Sequence, residues 1–365
     1  MTEHPYRSLP PKAFWRKSVE APAAADVDPV GRFDLKITRE TRVATAGSCF
    51  AQHIARHLQK SGFHYYVAEA GHPVLPAKLR QAHNYGMFSA RFGNLYTARQ
   101  LRQLMERALG RFTPEEPAWI DADGSVRDPF RPTVQPGNFA SAAEMEADRQ
   151  QHLNAVRTMF ETLDVFVFTL GLTECWAARA DGAVFPLCPG VEGGSFDPER
   201  YVFVNQTAPE VIADMEAVLD MLASINPAAQ VILTVSPVPL MATAQPGAHV
   251  LSATTYSKSV LRVAAETLTL AHGHVHYFPS YEIITGAFNR GRYYAADLRN
   301  VTEEGVSHVM RLFLHHAAAQ GLPEHAASVP AEDKFMAHAG AFVEVECDEA
   351  ALDSGTLPAS RKRHQ

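Results

Sequence analysis

The sequence has few cysteines, no long apolar run and no excess of basic charge. Its net charge is −7 and both signs are interspersed, which argues against a nucleic-acid partner. No apolar run approaches the roughly 20 residues of a membrane-spanning helix, and residues 1–20 contain no apolar segment typical of a signal peptide. The cysteines are irregularly spaced without a CxxC pair, which indicates free thiols in a reducing compartment: Cys49, Cys175, Cys188 and Cys347. We therefore expect a cytoplasmic protein with no membrane span.

What is present is an alternation of short apolar runs with amphipathic segments. The run at residues 164–170 is apolar on both alternating faces, as in a central parallel strand. Further strands are predicted at residues 42–47, 63–67, 231–235 and 275–279. Helices are predicted at residues 142–163, 208–225, 256–271 and 303–318. Strands separated by helices predict an α/β three-layer sandwich around a central parallel sheet.

The first strand runs through Gly47 and Ser48 directly into a helix. Glycine permits a tight turn here, and the serine hydroxyl stands at the positive end of the new helix, beside unpaired backbone N–H groups. Ser48 is therefore a candidate nucleophile or anion-binding group. The same position also suits an ordinary N-cap serine, so both interpretations stay open.

Ligands of such sheets bind at the carboxyl ends of the strands. The turns that follow three separate predicted strands end at that edge, and the loop near Gly93 is expected to join them. These turns contain Gly47 and Ser48, residues 171–174, and Ser236 with Pro237. We expect the candidate site there.

Several motifs resemble those of the GSCFA family. The name of that family is spelled by Gly47-Ser48-Cys49-Phe50-Ala51, and the resemblance continues at residues 91–101, 169–174, 236–239, 277–282 and 297–302. It covers about residues 35–320. The family is similar to the SGNH, or GDSL-like, hydrolases, which implies a flavodoxin-like α/β/α sandwich.

The chain is accordingly divided into three parts. Residues 1–34 are a lead-in segment, and residues 35–320 form the GSCFA-like domain with an insertion around 110–140. Residues 321–365 are expected to behave as a tail.

The resemblance to SGNH enzymes implies roles for individual residues. Ser48 corresponds to the nucleophile, and its backbone N–H would supply one oxyanion donor. Gly93 corresponds to the glycine that supplies a second N–H, with Asn94 as a possible side-chain donor. SGNH enzymes carry an asparagine two residues after a glycine of the third motif. Here Gly171 is present but Thr173 takes the asparagine position, with a shorter reach and a single proton.

The last motif departs further from the SGNH pattern. Asp297 corresponds to the orienting aspartate, but Asn300 occupies the position of the catalytic histidine, and an asparagine cannot accept the proton. The nearest downstream histidine is His308, which we assign as the candidate base. Asp297 could equally begin an Asx-type turn, and the two interpretations are compatible.

Other polar residues have a functional and a structural interpretation. Glu174 could bind a substrate hydroxyl or orient a base, or it could cap a helix; together with Asn300 it is our candidate for substrate binding. His53 and His57 share a helix face at metal-ligand spacing, but no third ligand follows at an obvious spacing. A metal-assisted hydrolase is therefore the third alternative, and we expect no metal or cofactor.

The resemblance implies a serine esterase or O-acyltransferase that acts on acyl esters of a carbohydrate or polysaccharide precursor. An acyl donor such as an acyl-coenzyme A would suit a transferase, although no coenzyme motif is visible. The alternative is a catalytically inactive SGNH-like module that binds a sugar or a sugar-linked partner. Thr173 and Asn300 favour this alternative, because both depart at chemically necessary positions.

Overall fold

The computed structural model describes residues 4–319, so the predicted tail at 321–365 lies outside the described residues. In chain order, the first part contains β1 (Val43–Gly47), α1 (Cys49–Lys60), α2 (Ala77–Ala82), α3 (Ala98–Ala108), β2 (Trp119–Ile120), β3 (Val126–Arg127) and α4 (Ala142–Thr162). The middle part contains β4 (Val165–Leu170), β5 (Glu174–Ala178), β6 (Val184–Phe185), β7 (Tyr201–Asn205), α5 (Ala208–Ile225) and β8 (Gln230–Val235). The last part contains α6 (Val250–Ala271), β9 (Val275–Tyr277), α7 (Ser280–Thr285) and α8 (Glu303–Ala317).

A four-stranded parallel sheet in the order β1-β4-β8-β9 forms the centre of the fold. Side chains on β4 alternate between its two faces: Phe166 and Phe168 pack with residues of α3, α4, α5 and α6. Val165 and Val167 pack with residues of α1, α7 and α8 on the other face. Both faces of the sheet are thus covered by helices, which confirms the predicted three-layer α/β sandwich. No helix within residues 4–319 combines the length and apolar character needed to cross a membrane.

The predicted strand at 63–67 forms only a single parallel bridge, from Tyr65 to Val43. Its segment lies along β1 through two backbone hydrogen bonds, from Val43 N to His64 O (3.0 Å) and from Tyr66 N to Val43 O (2.8 Å). Pairing ends there because the Ala68 amide donates instead to Ser89 O, at 2.7 Å. With this segment included, the order across the sheet is the 63–67 segment, β1, β4, β8 and β9. Counted along the chain, this is the 2-1-3-4-5 order of flavodoxin-like sheets, and the topological switch point lies between β1 and β4.

Two additions extend from the sandwich. The predicted insertion contains the β2–β3 hairpin, and β5, β6 and β7 form a separate antiparallel sheet. Asp181 and Gly182 make the predicted turn between β5 and β6, where Gly182 has a φ of +75°. Trp119, Phe185 and Tyr201 join the two additions in one small apolar cluster.

Helix α6 begins at Val250, six residues before the predicted start near 256. His249 caps it, because its side chain accepts a hydrogen bond from the Leu251 amide. Leu251 is 68% exposed, so the first turn does not carry the apolar stripe on which the sequence prediction rested.

Candidate active site

Backbone hydrogen bonds bring the predicted turns together at the carboxyl edge of the sheet. Leu95 N donates to Gly47 O at 2.9 Å, which fastens the 93–95 loop beside the β1 turn. Tyr96 O accepts from Gly171 N and Leu172 N at 3.1 and 2.8 Å. Ser236 N donates to Leu170 O at 2.8 Å. The prediction that these turns share one edge is therefore confirmed.

The turn before Ser48 can be made only by a residue without a side chain. Gly47 has a φ of +138°, and a Cβ at this position would lie 2.5 Å from Thr169 O and 2.9 Å from Thr169 N. The close approach arises because β1 and β4 pair in parallel, with Gly47 opposite Thr169. Gly47 thus lets the chain pass directly from the sheet into α1, with Ser48 at the junction.

Ser48 occupies the N-cap position of α1, but its hydroxyl does not cap the helix. The backbone is extended (φ −75°, ψ 180°), and the side chain accepts no hydrogen bond from the first turn. Only 4% of the residue is exposed, yet Ser48 Oγ has no hydrogen-bond partner within the described residues. A buried hydroxyl without a partner costs free energy, so the capping interpretation does not account for this serine.

A small cavity lies beside Ser48, with a volume of about 10 Å³, which is room for about one water molecule. It lies where the turns after β1, β4 and β8 meet, at the topological switch point of the sheet. The residues that line it are Ser48, Tyr96, Gly171, Leu172, Ser236, Val238, Pro239 and Arg299. None of these lining residues, as the described part of the chain shows them, is an aspartate, glutamate or histidine.

Gly93 and Asn94 lie in the loop that is fastened beside the Ser48 turn, but neither lines the cavity. Gly93 has a φ of +71° and open space where a Cβ would stand. Asn94 is buried, and its Oδ1 accepts from Gln52 Nε2 of α1 at 3.5 Å. The loop is thus positioned next to the predicted nucleophile.

Thr173, predicted to contribute to the oxyanion site, does not line the Ser48 cavity. Its hydroxyl donates to Asn205 Oδ1 at 2.7 Å, and its amide donates to Ser257 Oγ at 3.0 Å. The single hydroxyl proton is therefore already used in a hydrogen bond between the residue before β5 and the last residue of β7. In this conformation Thr173 does not supply the donor that the SGNH pattern places there.

Glu174 fastens the loop that follows β8. Its Oε1 accepts from the Thr243 hydroxyl at 2.7 Å and its Oε2 from the Ala244 amide at 3.4 Å. Burial raises the pKa of this carboxyl, against the opposing effect of these two hydrogen bonds. Glu174 does not line the Ser48 cavity, so its contacts favour the structural interpretation over direct substrate binding.

Asp297 and Asn300 form a local turn, as the structural interpretation of Asp297 predicted. Asp297 Oδ1 accepts from the amides of Arg299 and Asn300 at 3.0 Å each, and Asn300 Nδ2 donates to Oδ2 at 2.5 Å. Partial burial acts to raise the pKa of Asp297, but these hydrogen bonds outweigh it and lower the pKa. Leu298 has a φ of +56°, which is unusual for a residue with a side chain.

This turn carries Arg299 to the cavity wall beside Ser48. The sequence interpretation missed Arg299 and Tyr96 as neighbours of the candidate nucleophile, whereas it placed the turn at Ser236 at the same edge of the sheet. The available signal was the position of Arg299 inside the 297–302 motif, two residues after the aspartate.

His308 is buried in α8, with 4% of its surface exposed, and both ring nitrogens have partners. Nδ1 lies 2.8 Å from the Tyr293 hydroxyl and Nε2 lies 3.0 Å from Val27 O. A neutral ring that donates from Nε2 and accepts at Nδ1 satisfies both contacts. Burial lowers the pKa of His308. The structure thus does not assemble Ser48, Asp297 and His308 into a hydrogen-bonded triad, because Asp297 and His308 each satisfy other groups.

The third alternative, a metal site at His53 and His57, lacks further ligands among the described residues. His57 Nε2 lies 3.6 Å from Glu303 Oε1, across the interface of α1 and α8. Within residues 4–319 there is no group of three or more histidine, cysteine, aspartate or glutamate side chains arranged to hold a metal ion.

The fold and this geometry define an α/β protein with a buried serine at the switch point of its parallel sheet. The GSCFA family model matches residues 42–313, and the chain belongs to the GSCFA family. All the motifs on which the resemblance rested lie inside the matched residues. No curated protein and no solved structure matches the chain.

Proposed function

We propose that the protein is a serine-dependent ester hydrolase or O-acyltransferase with Ser48 as its nucleophile. The observation that carries the proposal is the Ser48 hydroxyl, which is buried, without a hydrogen-bond partner among the described residues, and beside a cavity at the ligand-binding edge of the sheet. A hydroxyl at the start of a helix also lies next to unpaired backbone N–H groups, which can stabilise a negative charge by donating hydrogen bonds to it.

In the proposed reaction, Ser48 Oγ attacks the carbonyl carbon of the acyl ester. The new Oγ–carbon bond forms as the bond to the alcohol oxygen breaks, and the alcohol leaves with the serine proton. Water or a second hydroxyl then takes the acyl group and returns a proton to Ser48. The N–H groups of Ser48 and Gly93 are the oxyanion donors that the SGNH resemblance implies.

The acyl ester of a carbohydrate or polysaccharide precursor is the substrate class that the resemblance supports. An acyl donor such as an acyl-coenzyme A would supply the acyl group if the reaction is a transfer. A cytoplasmic location also belongs to this proposal, supported by the irregular cysteine spacing and by the free thiols of Cys175 and Cys188.

The test is covalent reaction with a serine-directed fluorophosphonate, followed by intact mass. Attack of Ser48 Oγ at phosphorus would displace fluoride and leave a single phosphonyl adduct on the wild type. Ser48→Ala is expected to abolish the adduct. The matched control is Ser236→Ala, because Ser236 lines the same cavity and its hydroxyl already accepts from the Val238 amide at 3.3 Å. An adduct that persists in Ser48→Ala but disappears in Ser236→Ala would reject Ser48 as the nucleophile.

A second candidate function is a catalytically inactive module that binds a sugar or a sugar-linked partner. It is favoured by the lack of a carboxylate or imidazole among the described residues that line the Ser48 cavity, and by the engagement of Asp297 and His308 elsewhere. A folded wild type that forms no adduct, even over long incubation, would favour this second function.

A further inference from the structure

The wall of the Ser48 cavity combines one cationic side chain with the start of a helix. Arg299 is the basic residue among the lining residues, and the described lining contains no acidic one. Ser48 lies at the N-terminus of the twelve-residue helix α1, whose macrodipole adds partial positive charge. The lining itself thus carries positive charge in a chain whose net charge is −7, and the nearby acidic residue is Asp297, whose pKa the charge of Arg299 helps to lower.

The position of Arg299 is set by its own loop. Asp297 accepts hydrogen bonds from the backbone amides of Arg299 and Asn300, and the intervening Leu298 takes a left-handed conformation between Asp297 and Arg299. Tyr294 fastens the same loop to the segment after β8, because its hydroxyl donates to Pro237 O at 2.7 Å. Three constraints on one short loop thus direct a single arginine to the candidate nucleophile.

We propose that Arg299 selects acyl compounds that carry a carboxylate or phosphate close to the scissile ester. A guanidinium presents a planar set of donors that matches these two anions bidentately, and in a water-poor site the pairing is stronger than at an exposed surface. This inference rests on the proposed function of Ser48 and adds to it the charge of the substrate.

The cavity holds about one water molecule, so such a substrate enters when the covering segments separate. These segments are Val238 with Pro239 on one side and the Arg299 loop on the other. The Tyr294–Pro237 hydrogen bond joins the two, so opening breaks this bond and moves the Arg299 loop relative to Ser48.

The kinetic test compares two acetate esters that differ in one charge, 4-acetoxybenzoate and its methyl ester. We expect the wild type to favour the anionic ester, and Arg299→Gln to lower kcat/KM for that ester by about 10- to 100-fold, chiefly through KM. The neutral ester should change by less than about twofold. Arg299→Lys should recover part of the preference, and Arg292→Gln, on the same loop but exposed and outside the cavity, should leave it unchanged.

A binding test separates this inference from the proposed chemistry. The thermal midpoint of unfolding is measured in sodium phosphate and in sodium chloride of equal ionic strength. Phosphate stabilises folded proteins in general, so we expect it to raise the midpoint of the wild type and Ser48→Ala by more than that of Arg299→Gln.

The outcomes are distinguishable. If neither ester is cleaved but the phosphate shift depends on Arg299, the proposed ester cleavage is rejected and the anion-binding role of Arg299 is supported. If Ser48 cleaves both esters equally well in the wild type, the selectivity is overturned. If Arg299→Gln lowers kcat for both esters alike, Arg299 contacts the oxyanion and the proposed role is also overturned.

Discussion

At the scale of single residues, Gly47 shows how the position of Ser48 depends on the absence of a side chain. A Cβ at Gly47 would meet the Thr169 backbone at 2.5 Å, and the φ of +138° is itself unfavourable for alanine. We expect Gly47→Ala to lower the free energy of unfolding by about 2–4 kcal/mol, measured by urea denaturation.

Gly93→Ala is the matched control for this prediction. Gly93 also has a positive φ, of +71°, but open space surrounds the position of a Cβ. Gly93→Ala should therefore lower the free energy of unfolding by only about 1 kcal/mol, from backbone strain alone. Equal losses in the two variants would show that the contact with Thr169 does not limit this turn.

His308 provides a second prediction at this scale. The contacts with Tyr293 and Val27 favour a structural role, and His308→Ala removes both of them along with buried volume. We expect a loss of about 2–4 kcal/mol in the free energy of unfolding. The rate of Ser48 phosphonylation, measured at a temperature where the variant is fully folded, should not change.

The role that the SGNH resemblance implies for His308 leads to a different outcome. A general base at Ser48 contributes about 10²- to 10⁴-fold to the rate, so its removal would slow phosphonylation strongly in folded protein. Tyr293→Phe is the control, because it removes one hydrogen bond from His308 and keeps the imidazole. Slow labelling in His308→Ala together with normal labelling in Tyr293→Phe would restore His308 as the base.

At the scale of elements, two segments cover Ser48: the chain after β8 and the loop before α8. The Tyr294–Pro237 hydrogen bond joins them. Tyr294→Phe removes that bond and leaves the ring in place, so the covered conformation should lose about 1 kcal/mol relative to the open one. We expect phosphonylation of Ser48 to become up to about fivefold faster if opening limits the reaction.

Tyr281→Phe controls for the loss of a tyrosine hydroxyl nearby, because Tyr281 lies on α7 and does not line the Ser48 cavity. Equal rates for wild type and Tyr294→Phe would mean that the two segments do not govern access to Ser48.

The sequence predicted those strands and helices whose apolar residues recur at a regular spacing over the whole element. The apolar residues of β4 and β8 alternate over both faces, so the buried parallel sheet followed directly, and α5 has the predicted bounds of 208–225. The single bridge at Tyr65 was overestimated as a strand because β-favouring residues do not reveal where a neighbouring strand ends. Contacts between distant segments were not predictable in this way. The pairing of Thr173 with Asn205 and the approach of Arg299 to Ser48 depend on how the turns pack.

At the scale of the whole molecule, buried ion pairs join the insertion to the sandwich. Asp128 of the insertion accepts from Arg131 at 2.9 Å and from Arg149 of α4 at 2.9 Å. Asp148 of α4 accepts from Arg131 at 2.8 Å and from Arg91 at 2.7 Å. Burial acts to raise the pKa of Asp128, but the arginines outweigh it and hold the pKa well below its ordinary range. Loss of one member would leave buried charge unpaired, so these residues couple three separate parts of the chain.

His152 of α4 extends this network to Glu69 and gives it a dependence on pH. Its Nδ1 lies 2.7 Å from Glu69 Oε2, and the residue is fully buried. Burial, together with the charge of Arg131, lowers the pKa of His152 to about 4, although Glu69 acts in the opposite direction. The unfolded chain therefore binds this proton more readily than the folded protein does. The contribution of His152 to stability is complete above pH 6.5 and decreases as the pH falls from there towards 4.

We expect His152→Gln to weaken the pH dependence of stability. The glutamine amide can still donate to Glu69 but does not titrate. Between pH 7.5 and 5.5, the free energy of unfolding of the wild type should fall by about 1 kcal/mol more than that of His152→Gln. Urea denaturation at both pH values measures this difference, and the other histidines contribute equally to both proteins. His64→Gln, which changes an exposed histidine, should retain the wild-type pH dependence. If His152→Gln retains it as well, the buried imidazole is not the group that links the ion-pair network to pH.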